Sequence, residues 1–198
     1  MNMTTSNALP ILQLSKSGDA NAFVKCWSSL YEYPEYAVYK STVNNKDLSK
    51  KDLRQLFSWK SGAVLNTKKE RSILSEFLQH DELINELKKT FDQKKFQKTF
   101  GKIPAVWQIF LLHILQPAVY PVFDKNVYRA YRVVENLEVK RLPANQEERL
   151  KIFTTEYHPF FQEFCTLATS YDHFDVDKAL WTFGKVTREF PGLMKTAP

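Results

Sequence analysis

The run from Ala105 to Leu115, AVWQIFLLHIL, most constrains this chain. It is about three helical turns long and leaves almost no polar face. A helix apolar around its whole circumference must be surrounded by other elements, so these residues predict the core helix of a multi-helix fold. Pro104 opens it, because its ring fixes φ and its missing N–H is one the first turn does not use. The amides of Ile103, Ala105 and Val106 then lie beyond intrahelical acceptors, and such a helix start attracts anions, phosphate included. Gln108 and His113 are the polar exceptions and need partners if buried. Pro117 and Pro121 stop the helix and hold the next residues extended. Asp124 then stands where an N-cap belongs, before a basic-aromatic helix over Lys125–Val134.

The rest of the chain is also helical in pattern. Asp19 caps a helix from Ala20 to about Tyr31, with Phe23, Trp27, Leu30 and Tyr31 on one face. Tyr33, Tyr36 and Tyr39 recur every three residues, a spacing open to a stacking surface and to a packed helix face, with the packed face expected. Ser49 and Asp52 form a capping signal ahead of Leu53–Trp59, and Lys60 and Gly62 close that helix. Helices follow from Thr67 to Gln79, from Asp81 to Phe91 and over 92–100, where Phe96 and Phe100 fall in register and Gly101-Lys102 makes a turn. Beyond a charged connector, Asn145 begins a long helix to about Thr169, bent at His158-Pro159. Asp175 is the expected cap of the last helix, Val176–Phe190, which Pro191 and Gly192 end. Pro10–Leu14 reads as a short turn. No strand pattern and no repeat is present. The expected architecture is all-α, about eight to ten helices in one or two small lobes, read as a single compact unit over 1–198.

Charge and composition narrow the partners. The chain carries +6 overall, and residues 50–102 alone hold thirteen Lys/Arg against seven Asp/Glu, while the remainder is neutral. Basic charge leading into a helix-end anion site suits a phosphate backbone, although a Lys-rich solvated helix surface gives the same count. Cys26 and Cys165 are too few for a disulfide framework, and no cysteine cluster supports zinc or an iron–sulfur centre. The four histidines have no metal-ligand spacing, and Asp172–Asp177 fails the EF-hand pattern, so no metal and no cofactor is expected. No phosphate-binding glycine motif appears. The N-terminus lacks a signal-peptide pattern and no run suits a bilayer, which predicts a cytoplasmic protein without a membrane partner.

Residues 103–130, IPAVWQIFLLHILQPAVYPVFDKNVYRA, resemble the core of the helix-hairpin-helix DNA glycosylase superfamily. That family reads Leu-Pro-Gly-Val-Gly, then a buried helix, a Pro- and hydrophobe-rich connector and a catalytic Asp ahead of a helix with Val and Arg. Ile103, Pro104 and Val106 match the hairpin, and Pro121, Val122, Asp124, Val127 and Arg129 match the segment around the Asp. Both hairpin glycines are replaced, by Ala105 and Trp107, and the hairpin-to-Asp segment is a few residues short. The lysine nucleophile of the bifunctional members falls at Ile109, which cannot form a Schiff base. The resemblance therefore implies a monofunctional glycosylase, with 92–134 as its helix-hairpin-helix and catalytic segment.

It also implies roles. Asp124 would be the catalytic carboxylate that stabilises positive charge on the sugar as the base leaves and orients or deprotonates water. From its position alone a plain helix cap is the expected role. Lys102, Lys125 and Arg129, with the backbone amides of Ala105, Val106 and Trp107, would contact phosphate; solvated surface is the alternative for the three side chains. Trp59, Lys60, His113 and Tyr128 are pocket candidates, with helix-end electrostatics the expected use of Lys60 and the core the expected place of His113. Lys125, next to Asp124, is the remaining amine for a displaced lyase. The partner would be double-stranded DNA with a modified or damaged base. The divergent hairpin points to a branch that excises bulky modified cytosines, glucosylated hydroxymethylcytosine included, from bacteriophage DNA as an antiviral defence. A non-catalytic helix-hairpin-helix DNA-binding module and a helical protein-interaction domain are the competing readings.

Overall fold

A computed structural model describes residues 18–62 and 68–190, the side chains of 69 and 70 aside. The turn expected over Pro10–Leu14, the helix start at Thr67 and the stop at Pro191-Gly192 lie outside the described residues. Helices α1 (Ala20–Ser28), α2 (Tyr36–Val43), α3 (Lys50–Ser61), α4 (Lys68–Gln79), α5 (Asp81–Lys89) and α6 (Gln93–Phe100) lead into α7 (Ala105–Leu115) and α8 (Lys125–Val134). Then come α9 (Gln146–Ile152), a π turn (Phe153–Tyr157), α10 (His158–Leu167) and α11 (His173–Glu189). Helix α9, the π turn and α10 run on as one, so the described residues form ten helices and contain no strand.

Local chemistry sets most of the boundaries. Asp19, Asp92, Asp124 and Asn145 each accept from amides in the first turn of their helix, and Ser49 and Asp52 form the reciprocal capping box. Gly62 ends α3 at φ 72°, a left-handed conformation that glycine adopts without a Cβ penalty. The last helix departs from expectation. Asp172 caps it by accepting from the Asp175 amide at 2.9 Å, which moves Asp175 into the first turn, where it pairs with Lys178. The bend expected at His158-Pro159 is a π turn: Pro159 has no N–H for the carbonyl four residues back, and the His158 N–H reaches Phe153 instead.

Helix α7 is the core. Every residue from Ala105 to Leu115 except Val106 is buried. Its two polar side chains are satisfied: Gln108 Nε2 donates to the Gly101 and Ile103 carbonyls, and His113 lies between Tyr39 and Tyr120. Lys88 Nζ on α5 donates to the Val43 and Ile114 carbonyls, joining the ends of α2 and α7. Helix α11 packs along α8 and α1. At Gly184 it comes so close to α8 that a Cβ would lie 2.0 Å from the Asn126 carbonyl oxygen.

Candidate active site

The connector Val122–Asp124 crosses the fold between α7 and α8, and polar groups from distant helices grip each of its residues. The Val122 N–H donates to Asp177 Oδ2 at 3.0 Å, and the Phe123 carbonyl accepts from Lys60 Nζ at 3.0 Å. Asp124 Oδ1 accepts from the Asn126 and Val127 amides at 2.7 and 3.1 Å. Its other oxygen accepts the Trp181 indole N–H at 3.1 Å. The cap is thus also a fixed carboxylate, oriented by α8 on one side and α11 on the other.

One side of this connector faces a narrow aromatic pocket with about 50 Å³ of free space. Tyr31, Tyr33, Tyr36, Tyr39, Trp59 and Trp181 form its walls, and Lys60, Asp124, Asp177 and Lys178 bring polar groups to it. Tyr39 and Trp59 stack at 3.5 Å between centroids and 8° between planes. Tyr31 and Tyr33 meet Trp181 edge-on, and Tyr33 donates to the Trp59 carbonyl. Tyr39 is anchored from behind. His113 Nδ1 is 2.7 Å from the Tyr120 carbonyl oxygen, which requires the proton on that nitrogen, so Nε2 accepts from the Tyr39 hydroxyl. Burial pushes the His113 pKa down to about 3 and keeps the ring neutral.

Two ionisable groups in the pocket are perturbed in opposite senses. Burial lowers the Lys60 ammonium, with Asp124 and Asp177 pulling it partly back. Burial raises Asp177 to about 7; the Val122 amide and Lys60 oppose that shift, and Asp124 adds to it. Asp177 Oδ1 is buried and has no hydrogen-bond partner. The tyrosines stay phenols, since burial pushes Tyr31, Tyr36 and Tyr39 well above their ordinary value and Asp177 adds to each shift.

The other side faces a basic groove of about 510 Å³, lined by Lys125, Arg129, Lys140, Arg141 and Arg149 around Val106, Phe123 and Leu142. Arg129 Nη1 donates to the Gly184 carbonyl at 3.3 Å, and the Arg149 guanidinium donates to Pro143. Asp124 is the acid of this lining, and it lines the aromatic pocket as well.

The structure sorts the sequence candidates. It brings together Asp124, Lys125 and Arg129 at the groove, and Trp59 and Lys60 at the pocket. Lys60 is not a mere helix-end charge; it reaches 63 residues along the chain to the connector. The tyrosine triplet lines a cavity, and only Tyr36 and Tyr39 belong to a helix. His113 backs the pocket wall without lining it. Tyr128 packs on Phe123 outside the pocket, and its hydroxyl accepts from Arg132. Lys102 is exposed on the turn and lines neither cavity.

Two of the three amides expected at a phosphate site, those of Ala105 and Trp107, are engaged within the fold. The Ala105 N–H donates to Gln146 Oε1 at 2.8 Å, Trp107 donates to the Pro104 carbonyl, and Ile103 donates to Phe100. Val106 alone of this group lines the groove. The basic excess of residues 50–102 does not reach the groove. No groove base comes from residues 50–102, where Lys50, Lys89 and Lys95 are paired with acids and Lys88 with carbonyls.

The sequence reading does not single out Tyr31, Asp177 or Trp181 as site residues, nor Lys140, Arg141 and Arg149. One signal was available: Asp177 and Trp181 are four apart, hence on one helix face, and an acid among Val176, Ala179 and Leu180 needs an explanation. No protein-family model, curated protein or solved structure matches the chain. Among the described residues, no group of three His, Cys, Asp or Glu could hold a metal, and no helix is long and apolar enough to cross a membrane.

Proposed function

We propose that the protein is a monofunctional DNA glycosylase of helix-hairpin-helix type, hydrolysing the bond between a modified or damaged base and its deoxyribose to leave an abasic site. The observation that carries this reading is the position of Asp124 as a shared wall between an aromatic pocket and a basic groove. A base in duplex DNA is reached by extruding its nucleotide. The base then enters as the aromatic walls of the pocket part around it, while the phosphates lie along Lys125, Arg129, Lys140, Arg141 and Arg149. The sugar between them meets Asp124. As the C1′–N bond lengthens, positive charge grows on the sugar, and a carboxylate already fixed by three donors stabilises it without reorganising. The same carboxylate orients the attacking water. In this scheme the groove's side chains take over the phosphate contacts that the hairpin amides do not make.

The test is an excision assay on duplexes carrying uracil, hypoxanthine, 5-hydroxymethylcytosine or its glucosylated form, with phage genomic DNA included. The glucosylated base is the candidate the resemblance favours. Breaks that appear only after alkali, and vanish in Asp124→Asn, are the expected result. Breaks without alkali that Lys60→Gln removes would assign lyase chemistry to the pocket amine. Salt-sensitive binding with no abasic product on any substrate would leave a DNA-binding module whose Asp124 is only a helix cap.

A further inference from the structure

The glycosylase reading assigns work to Asp124 and to the aromatic walls, and it leaves the second pocket carboxylate unused. Asp177 lines the pocket from α11. Its Oδ2 is held by the Val122 amide, so the carboxyl cannot swing away, and its Oδ1 is buried without a partner. A buried polar atom left open costs free energy unless a ligand completes it. Its neighbour Trp181 lies one turn along α11 and donates to Asp124, so one helix face aims at both the reacting carbon and the base.

Resting on the glycosylase reading, we infer that Asp177 is the general acid that protonates the departing base. In the step, the C1′–N bond breaks and its electron pair goes to the base. The Asp177 Oδ1 proton passes to an acceptor nitrogen or carbonyl oxygen on that base. Water adds to C1′ and gives its proton to Asp124. Exchange with solvent then returns one proton to Asp177 and removes one from Asp124, so the cycle consumes only water. The two carboxyls work in opposite protonation states, which their surroundings favour: Asp124 accepts three hydrogen bonds, whereas Asp177 sits in the less solvated end. The charged groups acting on Asp177 are Lys60 from α3 and Asp124 from the connector. Tyr31, Tyr36 and Tyr39, and likewise Tyr157 and Cys165, all remain neutral at physiological pH, their own ionisation pushed upward by burial. Lys178 on the same helix is paired with Asp175.

The experiment compares the full-length protein with Asp177→Asn on the duplex panel above, under single-turnover conditions across pH 5–9. Asparagine keeps an acceptor for the Val122 amide and removes only the acid, so a positioning role survives it. The expected result is a loss of roughly 100-fold or more in the excision rate, with DNA affinity unchanged. The wild-type rate should fall on the alkaline side, and that fall should be absent from the residual activity of the variant. Wild-type excision that Asp177→Asn leaves intact, with the same pH profile, overturns the acid while the glycosylase reading stands. No abasic product from the wild type on any substrate removes both. If the variant does not fold, the wild-type profile alone decides: a rate that stays flat to pH 9 excludes an acid of this kind.

Discussion

Two helix starts lie within twenty residues of each other, and both read as sites in the sequence. Helix α7 opens at Pro104 and α8 at Asp124. Their fates differ because of what surrounds them. The α7 start closes on itself: Gln146 takes the Ala105 amide, the Pro104 carbonyl takes Trp107, and the turn before it is fixed by Phe100. The α8 start opens between two cavities, and its capping carboxylate has an oxygen left for Trp181 after the amides are served. A helix end becomes a site when tertiary packing leaves space in front of it, and sequence reports the end without the space.

The sharpest way to break this comparison is Asp124→Asn. Asparagine caps a helix about as well as aspartate, but its NH2 cannot accept the Trp181 N–H, so stability should fall by about 1–3 kcal/mol. Loss of the negative charge should cost about 10²- to 10⁴-fold in excision. A variant that excises normally would reduce the α8 start to the same structural role as the α7 start.

Protonation separates the two regions next. His113 belongs to α7, and Asp177 grips the connector that leads to α8. His113 titrates at about 3 when folded against 6.5 unfolded, so the unfolded chain binds more protons between those values and stability rises with pH across them. Asp177 titrates at about 7 when folded against 3.8 unfolded, so here the folded chain binds more protons and stability falls as pH rises from 4 to 7. The slopes oppose each other, each near 1.4 kcal/mol per pH unit for one full proton. Urea denaturation from pH 4 to 6.5 should therefore rise only gently for the wild type. It should climb more steeply with pH for Asp177→Asn, because the slope of His113, joined by one of the same sign from the half-buried His173, is then unopposed. Parallel curves for the two proteins would refute the pairing.

Gly184 tests how the α8 start is held. A Cβ there would meet the Asn126 carbonyl carbon at 2.6 Å as well as its oxygen at 2.0 Å, and both are backbone that cannot rotate away. Gly184→Ala should push α11 from α8 and destabilise by about 1–3 kcal/mol. For a chain of this size that is a drop in Tm of several degrees, roughly 2–4 °C per kcal/mol. Because Trp181 moves with α11, excision should fall further than stability alone explains. An unchanged Tm would mean that the two helices are not in such close contact.

The same contrast explains what could be read in the sequence. The spans of α7 and α8, the capping box at Ser49 and the stop at Gly62 followed from local patterns, and local forces decide them. The cap of α11 was misplaced by three residues because Asp172 and Asp175 both satisfy the local rule, and the Lys40 ion pair to Asp172 is a tertiary fact. The pocket draws on residues 31–39, 59–60, 122–127 and 174–181, which no window of sequence holds together. Its tyrosines and tryptophans have the spacing of ordinary core residues, and only the arrangement of helices shows that they face a cavity. The groove was hidden for another reason. Its bases lie in the stretch of zero net charge, since a sum over sequence does not say which face the cations share.

The smallest effect returns to the α7 start. Gln146→Ala should strand the Ala105 amide and cost about 1 kcal/mol, the ordinary worth of one hydrogen bond with its partner lost. It should leave the salt dependence of DNA binding unchanged. Arg129→Gln, in the groove, should instead lower the slope of log affinity against log salt by about one. If Gln146 covers an anion site, its removal would do the reverse, freeing the amide for phosphate and tightening binding. Fluorescence anisotropy on a short duplex at several salt concentrations distinguishes the outcomes. Tighter binding by Gln146→Ala would show that the hairpin retains a phosphate site held shut by α9, and the difference between the two helix starts would then be one of occupancy and not of design.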